Sequence, residues 1–381
     1  MPDTVAKLPV RPKLRPCFDV IYMEGHRCQI RAGDDVVIML EGRTVSDVIP
    51  KLFENMSGNL TVSELAEACQ AFVSPDDLVT ILTKLDGEGV LEDGNSDSRL
   101  FTDDELNYYS SQERFLSHFD RRKLIFQERL KGSKVGVIGS GSMGTAILSS
   151  LAQMGVGHLV GVETASELSA VPDLSNPGEN GQMTAGGFLS SLININPHVN
   201  VSVASIGPDD LTAITSAMRG CDVIAVAVDN VAFSVYERVH NTSINEGIPW
   251  IMCSPLNSIE GIVGPFFVPP ETCCYRCYDL RIKSNLTRYA EYMAFEAYVK
   301  DREGRTAEYG FLNPFPMIIG NLAALEIVKH ITGFVSPETY GCLIALNFVT
   351  LQMEHHEVFK LPRCPDCSPA RGLPPKSMWS I

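Results

Sequence analysis

The sequence has no apolar run long enough to cross a bilayer, since a membrane helix needs ~18–20 consecutive apolar residues. Its N-terminal stretch, MPDTVAKLPVRPKLRP, also lacks the apolar core of a secretory signal peptide. We therefore expect a cytoplasmic protein that has no membrane as a partner.

Positive charge is scarce in this chain. Its 31 lysines and arginines are outnumbered by 46 aspartates and glutamates, which gives a net charge of −15. Nucleic-acid phosphates repel such a chain unless a basic patch is segregated, and the sequence has no long basic run, so no nucleic-acid partner is expected. The scarcity is greatest between Lys134 and Arg219, where neither lysine nor arginine occurs.

The chain does contain enough apolar material for a sizeable core. It has 381 residues, of which 45 % are hydrophobic, and this length predicts two or three domains. The 11 cysteines are an odd number in a chain without an export signal. They therefore argue against a disulfide framework.

The first 95 residues have the pattern of a small separate domain. Short apolar runs bounded by turn residues predict antiparallel strands at residues 18–22, 28–30 and 36–40. Helix signals follow, including the capping box Thr61-x-x-Glu64 and a second helix start at Ser74. Three strands, three helices and a closing strand are typical of a winged-helix module, an α+β domain.

Residues 96–130 read as a linker followed by a helical segment, and the pattern then changes. Over residues 131–367, buried apolar strands alternate with segments of helical composition. This alternation predicts an α/β domain with a mostly parallel, doubly wound Rossmann-like sheet. Residues 368–381 form a tail with three prolines, one glycine and one lysine.

A glycine motif, Gly139-x-Gly141-x-x-Gly144, follows the first strand of this domain and opens a helix. Glu163 ends the next predicted strand, about 20 residues further on, as a ribose-binding acid does in nucleotide sites. Such glycines let the backbone approach a phosphate at a helix N-terminus. The motif therefore predicts a nucleotide-binding ancestry, and the alternative is a chance glycine-rich turn.

The charge of a bound triphosphate needs cationic side chains, metal ligands or both. Asp229 ends the fourth strand and is placed to hold magnesium, although a turn or helix-cap role is an equal alternative. Because residues 135–218 supply no cation, we expect this site to be a relic nucleotide site, and ATP with magnesium is a doubtful cofactor. A cation could instead come from Arg121, Arg122 or a second protomer.

Two C-x-x-C pairs carry the most specific signal in the chain. Four thiolates from two such pairs complete a tetrahedral site with no open position, which predicts one structural zinc ion. The alternatives are a redox dithiol and a shift of register to the neighbouring Cys273. Cys253 follows an apolar run without a basic neighbour and is expected to be a core residue rather than a nucleophile. The predicted zinc ligands are Cys274, Cys277, Cys364 and Cys367.

In their order along the chain, these motifs resemble the ThiF-like superfamily of ubiquitin-activating-type adenylating enzymes. The resemblance covers about residues 105–367 and includes MetGlyValGlyHisLeu, IleAsnProHis at 195–198 and ValAspAsn at 228–230. It implies ATP binding and adenylation of a C-terminal carboxylate. Two segments depart from the family pattern. The family's SerAsnLeu-x-Arg appears here as SerAsnPro at 175–177 with no following arginine, and its GlnProLys appears as Gln182, Met183 and Thr184, without the lysine.

The N-terminal module resembles the PqqD-like element that binds leader peptides of ribosomally made precursors. Together the two parts resemble the ThiF-like partner protein of azole- and azoline-forming synthetases. The resemblance implies a subunit, noncatalytic or weakly catalytic, that presents the precursor peptide to a YcaO-type cyclodehydratase forming thiazoline and oxazoline rings with ATP. The leader would add a strand to the sheet edge near residues 36–40. Its side chains would fill a groove against the third helix, near residues 78–85. The implied contacts are Val36, Val37, Ile38, Met39, Leu40, Leu78, Ile81, Leu82 and Leu85.

Two rival functions come from the same superfamily. One is a self-sufficient enzyme that adenylates a peptide with ATP, and the other is an enzyme that activates a sulfur-carrier protein. The extra N-terminal module and the lost cations disfavour the sulfur-carrier enzyme most. Peptide-adenylating members have a similar N-terminal module, so nucleotide binding separates them from the recognition subunit. A homodimer is expected only by analogy with other ThiF-like domains.

Overall fold

A computed structural model of the chain describes residues 8–94, 100–122, 124–139, 141–164, 192–206, 211–229, 233–301 and 312–369. The chain divides into two compact units, Met1–Glu128 and Arg129–Ile381. No helix among the described residues combines the length and the apolar character that a bilayer span requires.

The first unit packs three helices on a small antiparallel sheet, with the strands in the order β2-β3-β4. A short strand before this sheet pairs with the closing strand, Pro12 opposite Asp93. The elements are β1 (Pro12–Leu14), β2 (Asp19–Met23), β3 (Arg27–Ala32), β4 (Asp35–Glu41), α1 (Arg43–Asn55), α2 (Val62–Cys69), α3 (Pro75–Gly87) and β5 (Leu91–Asp93).

Local sequence signals explain where these helices begin. The Thr61 hydroxyl accepts from the Glu64 backbone N–H, and the Glu64 carboxylate accepts from the Thr61 backbone N–H. Ser74 caps α3 in a similar way, ahead of a proline at the first helical position. The predicted strands and caps of the first 95 residues are therefore formed.

Two more helices, α4 (Asp103–Tyr108) and α5 (Ser110–Leu116), also belong to the first unit. The side chain of Arg121, which follows them, lies 2.6 Å from a carboxylate oxygen of Asp86 in α3. Arg15 donates to the backbone carbonyl of Ser117. The helices after residue 100 therefore pack against the N-terminal module, while the domain boundaries given from the sequence stay predictions.

The second unit is built on an eight-stranded mixed sheet in the order β13-β12-β11-β10-β9-β6-β7-β8. Its strands are β6 (Lys134–Ile138), β7 (His158–Thr164), β8 (Asn200–Ile206), β9 (Val223–Ala227), β10 (Trp250–Asn257), β11 (Glu260–Phe267), β12 (Cys342–Asn347) and β13 (Met353–Glu357). Five strands from β8 to β10 run parallel, as predicted. The three beyond β10 are antiparallel, so the sheet is mixed.

Helices cover both faces of this sheet, and each face has its own apolar core. They are α6 (Leu124–Gly132), α7 (Ser142–Gln153), α8 (Leu211–Met218), α9 (Phe233–Glu246), α10 (Tyr275–Asn285), α11 (Tyr289–Asp301) and α12 (Pro314–Thr332). Helices α7 and α12 contribute to one core, and α8, α9 and α10 to the other. This arrangement is the doubly wound Rossmann-type fold.

The capping box at Thr61 should stabilise α2 measurably. Replacing Thr61 with alanine removes one acceptor from an orphan helix N–H, which costs about 1 kcal/mol. We expect faster hydrogen exchange of the α2 amides in Thr61→Ala. Thr80→Ala is the matched control, because the Thr80 hydroxyl bonds a carbonyl inside α3 and caps nothing. Equal exchange rates in the two variants would contradict a stabilising cap.

Candidate functional site

The glycine loop between β6 and α7 is shaped by close backbone packing. Gly139 has a φ of 114°, and a Cβ placed there would overlap the carbonyl oxygen of Ala227. A Cβ on Gly144 would overlap the carbonyl oxygen of Gly139, and one on Gly141 would overlap the Asp229 carboxylate. Gly139 and Gly144 are thus required by the protein's own backbone packing, and a side chain at position 141 would displace the Asp229 carboxylate.

The Asp229 carboxylate lies directly on the N-terminus of α7. Its oxygens accept from the backbone N–H of Ser142 at 2.8 Å and of Met143 at 3.3 Å. Burial raises the pKa of Asp229, although these two hydrogen bonds lower it. A helix N-terminus is where nucleotide folds place a phosphate. Here the protein's own carboxylate takes that position.

The other predicted nucleotide contacts are only partly described. Glu163 lies near the end of β7, beside the loop, but its side chain falls outside the described residues. Residues 175–177 and 182–184 also lie outside them. Arg121 is paired with Asp86 of α3 in its own unit, and Arg122 lies 3.6 Å from Asp120. These pairings oppose the idea that either arginine is a free source of cation.

The two C-x-x-C pairs lie together, and their Sγ atoms are all within 4.8 Å of one another. Individual Sγ–Sγ distances are 3.7 Å for Cys274–Cys277, 3.6 Å for Cys274–Cys364 and 3.5 Å for Cys277–Cys367. A tetrahedral zinc site with Zn–S bonds of about 2.3 Å separates its sulfurs by about 3.8 Å. The four cysteines therefore fit a zinc ion.

The start of α10 and the backbone at Leu361 both position the cysteine cluster. Cys274 is the N-cap of α10, which places Cys277 in the first turn of that helix. The Leu361 backbone N–H points at the Cys277 sulfur at 3.4 Å. The pKa of Cys277 lies below its usual range, mainly because its sulfur accepts a hydrogen bond from the Cys274 thiol. Burial raises this pKa, and the Leu361 N–H lowers it further. Such a pKa favours the thiolate form that binds metal.

The remaining cysteines have buried or isolated thiols. Cys273, the rival ligand, is not part of the metal-competent group among the described residues. Cys253 is fully buried, and burial raises the pKa of its thiol far above the ordinary value. A thiol held in this neutral form is a poor nucleophile. The predicted role of Cys253 as a core residue is consistent with this environment.

The predicted leader-peptide contacts are divided by the structure. Val36 to Leu40 lie in β4, an edge strand of the small sheet, although the side chains of Val36 and Val37 are outside the described residues. Ile81 is half-buried on α3. Leu78, Leu82 and Leu85 are also expected to face a groove on α3. That expectation is wrong, because all three side chains pack inward in the core of the first unit.

Comparison with known proteins places the second unit in a family. The sequence model of the ThiF family matches residues 174–368, just over half of the chain, so the chain belongs to the ThiF family. It is 26 % identical over 245 residues to the molybdopterin-synthase adenylyltransferase of Salmonella typhimurium. That match covers 63 % of this chain and 89 % of the relative.

Solved structures of MccB share the fold across nearly the whole chain. Escherichia coli MccB with succinimide has a TM-score of 0.65 at 17 % identity, covering 93 % of this chain and 98 % of MccB. The microcin C7 biosynthetic enzyme MccB in complex with N-formylated MccA has a TM-score of 0.66 at 17 % identity, covering 94 % and 99 %. Such low identity establishes likeness of fold alone.

Removing the Asp229 charge should open the α7 N-terminus to anions. We expect Asp229→Asn to bind inorganic pyrophosphate more tightly than the unchanged protein, by roughly fivefold, because a helix-terminus interaction is worth about 1 kcal/mol. Calorimetry without magnesium measures this directly. If the carboxylate served as a magnesium ligand instead, the same substitution would weaken binding of ATP with magnesium and give no gain for pyrophosphate.

Asp222→Asn is the matched control for this measurement. Asp222 also accepts from a backbone N–H, that of Lys134 at 2.8 Å, but at the opposite end of the parallel strands. Its substitution removes the same charge from the chain and should leave pyrophosphate binding unchanged. A gain of equal size in both variants would attribute the effect to net charge.

The cysteine cluster predicts about one zinc ion per chain in protein purified without chelator. We expect Cys367→Ser to lose that zinc and to melt at a lower temperature, because metal binding contributes to folding. Cys342→Ser is the control, since Cys342 is also half-buried but lies outside the cluster. Elemental analysis and thermal melting report the two effects. Zinc well below one per chain in the unchanged protein would contradict the assignment.

Proposed function

We propose that this ThiF-family protein binds a ribosomally made precursor peptide and presents it to a separate YcaO-type cyclodehydratase, which uses ATP to form thiazoline and oxazoline rings. The observation that carries the proposal is the edge strand β4 of the first unit. Within the described residues, β4 pairs with β3 on one side and with no strand on the other. An extended leader peptide can add to such an edge through main-chain hydrogen bonds.

The side chains of β4 alternate in the manner that strand addition requires. Ile38 and Leu40 are half-buried, and their register partners Ile30 and Cys28 are fully buried in the core. Met39 points to the other face and is 44 % exposed. A strand added beside β4 would therefore place alternate side chains next to the core and next to Met39. This alternation supports recognition of a specific leader sequence.

The second unit has features that favour a partner enzyme as the source of ATP chemistry. Asp229 holds the α7 amides that a phosphate would use. The sequence between Lys134 and Arg219 supplies no cationic side chain to neutralise a triphosphate. The likeness of fold to MccB, solved with N-formylated MccA, supports a biosynthetic substrate larger than a nucleotide alone.

A second candidate is adenylation of a peptide by this chain itself. It is favoured by the relationship to a molybdopterin-synthase adenylyltransferase over most of that enzyme's length. The complete glycine motif and Asp229 are also compatible with it. In this alternative Asp229 would have to leave the α7 N-terminus when ATP arrives. Peptide binding is common to both candidates, and nucleotide binding separates them.

Calorimetry with a candidate ribosomally made precursor peptide tests the proposal. We expect the peptide to bind and Met39→Glu to weaken binding by about fivefold, roughly 1 kcal/mol, because the substitution replaces an apolar cross-strand contact with a charge. Val10→Glu is the control, because Val10 is a similarly exposed apolar residue of the first unit outside β4. Equal effects of the two substitutions would contradict docking at β4.

The same titration repeated with ATP and magnesium distinguishes the two candidates. The recognition subunit should bind the peptide and show no heat with the nucleotide. Clear nucleotide binding, followed by pyrophosphate release in the presence of the peptide, would establish the adenylating enzyme instead. Failure of the peptide to bind would overturn both.

A further inference from the structure

An aromatic cavity of about 160 Å³ lies beside the end of β10, between α9, α10 and α11. It is distinct from the cysteine cluster and from the glycine loop, and sequence analysis gave no hint of it. Among the described residues, its polar lining consists of Ser254, Asp279 and the tyrosines. The aromatic lining consists of Phe233, Tyr236, Tyr275, Tyr278, Tyr292 and Phe295.

The walls of this aromatic cavity are tied together by a ladder of ion pairs. Lys283 of α10 lies 2.9 Å from Asp279 on its own helix and 2.7 Å from Glu296 of α11. Lys300 of α11 lies 2.9 Å from Glu296 and 2.8 Å from Glu237 of α9. Three helices are thus fixed at set distances from one another. A frame of this kind keeps the cavity preformed.

Charge on the cavity wall is already balanced. Asp279 is 6 % exposed and is paired with Lys283 and, at 3.5 Å, with Arg276. Among the described residues that line the cavity, a cationic ligand would therefore find no unpaired acid. An anionic ligand would meet the Asp279 carboxylate. The wall favours an uncharged occupant that stacks on tyrosine and phenylalanine rings.

The mouth of the cavity is apolar and partly exposed. Leu256, Ile282 and Phe295 line it and are 51 %, 36 % and 42 % exposed. Apolar residues that surround a preformed cavity lose this exposure when a ligand enters, and the burial favours binding. The size also limits the occupant, because an apolar cavity of about 150 Å³ holds one benzene ring.

The cavity adjoins the region of the glycine loop through Pro255 of β10. Pro255 lines the aromatic cavity and also a second, smaller cavity that includes Met143 and Asp229. Ligands of open α/β sheets bind at the carboxyl ends of the parallel strands, where this residue lies. A peptide chain that passes Pro255 could therefore place one side chain in the aromatic cavity.

We propose that the aromatic cavity binds one neutral aromatic side chain of the substrate peptide and so selects peptides that carry such a residue. This inference rests on the proposed function, because it assumes that a peptide is the substrate. The ring stacks between the α10 and α11 aromatics, and the ion-pair ladder holds them in place. The cavity is thus a specificity site separate from the leader-binding edge of β4.

The test uses short capped peptides and the full-length protein, with no nucleotide and no precursor. The probe is acetyl-GlyGlyPheGlyGly-amide, and its binding is followed by saturation-transfer NMR. We expect the phenylalanine peptide to bind and the corresponding leucine, lysine and alanine peptides to bind at least about tenfold more weakly, a difference of roughly 1.4 kcal/mol.

Two variants locate the binding. Leu256→Trp should block the mouth and weaken binding of the phenylalanine peptide by about tenfold. Its control is Val349→Trp, at an exposed apolar residue that does not line the cavity, and this variant should bind normally. Phe295→Ala removes a ring from the wall and should also weaken binding. Both cavity positions are well exposed, and thermal melting checks that the variants fold.

Equal binding of all four peptides, or normal binding by Leu256→Trp, would overturn the inference. Neither result bears on leader binding, because the β4 measurement uses a different unit and a different ligand. Conversely, loss of leader recognition would not change what the phenylalanine probe reports. The two proposals therefore fail separately.

Discussion

The glycine loop packs directly against the end of β9, and this contact fixes the positions of α7 and Asp229 in the second unit. The carbonyl oxygen of Ala227 occupies the space that a side chain on Gly139 would need, and Gly144 lies against the Gly139 carbonyl in the same way. These contacts bring α7 against the sheet and bring Asp229 onto its first amides. Gly139 and Gly144 would therefore be needed whether or not a nucleotide binds, because the protein's own backbone occupies the space of their side chains.

This constraint explains how a nucleotide-type fold can serve recognition. The Asp229 carboxylate accepts from the first amides of α7 and offsets the positive partial charge of that helix N-terminus, so the protein's own groups stabilise the loop. What is left is a rigid sheet with a cysteine cluster on one side and an apolar cavity at its carboxyl edge. In the proposed function, strand β4 of the first unit is a separate docking edge. The chain would then bind a peptide at two kinds of site while a partner enzyme performs the ATP chemistry.

Local signals in the sequence predicted the local structure well. The capping box at Thr61, the five parallel strands and the grouping of four cysteines all depend on short-range patterns or on fixed ligand spacing. The predicted contacts on α3 were different, because helical periodicity does not say which apolar stripe faces the core and which faces a ligand. Leu78, Leu82 and Leu85 formed the buried stripe. The pairing of the antiparallel strands β11, β12 and β13 and the ion-pair ladder depend on contacts between residues far apart in sequence. Periodicity within one segment does not predict such contacts.

Helix α10 connects the cysteine cluster with the aromatic cavity. Its first turn carries Cys274 as the cap and Cys277, and its next turns carry Tyr278 and Asp279 on the cavity wall. Arg276 lies between Cys274 and Cys277 in the sequence. It pairs with Asp366, which lies between Cys364 and Cys367. A metal held by the four thiolates would therefore fix the start of the helix that forms one wall of the cavity. The position of the aromatic rings would then depend on the same helix that a bound metal would anchor.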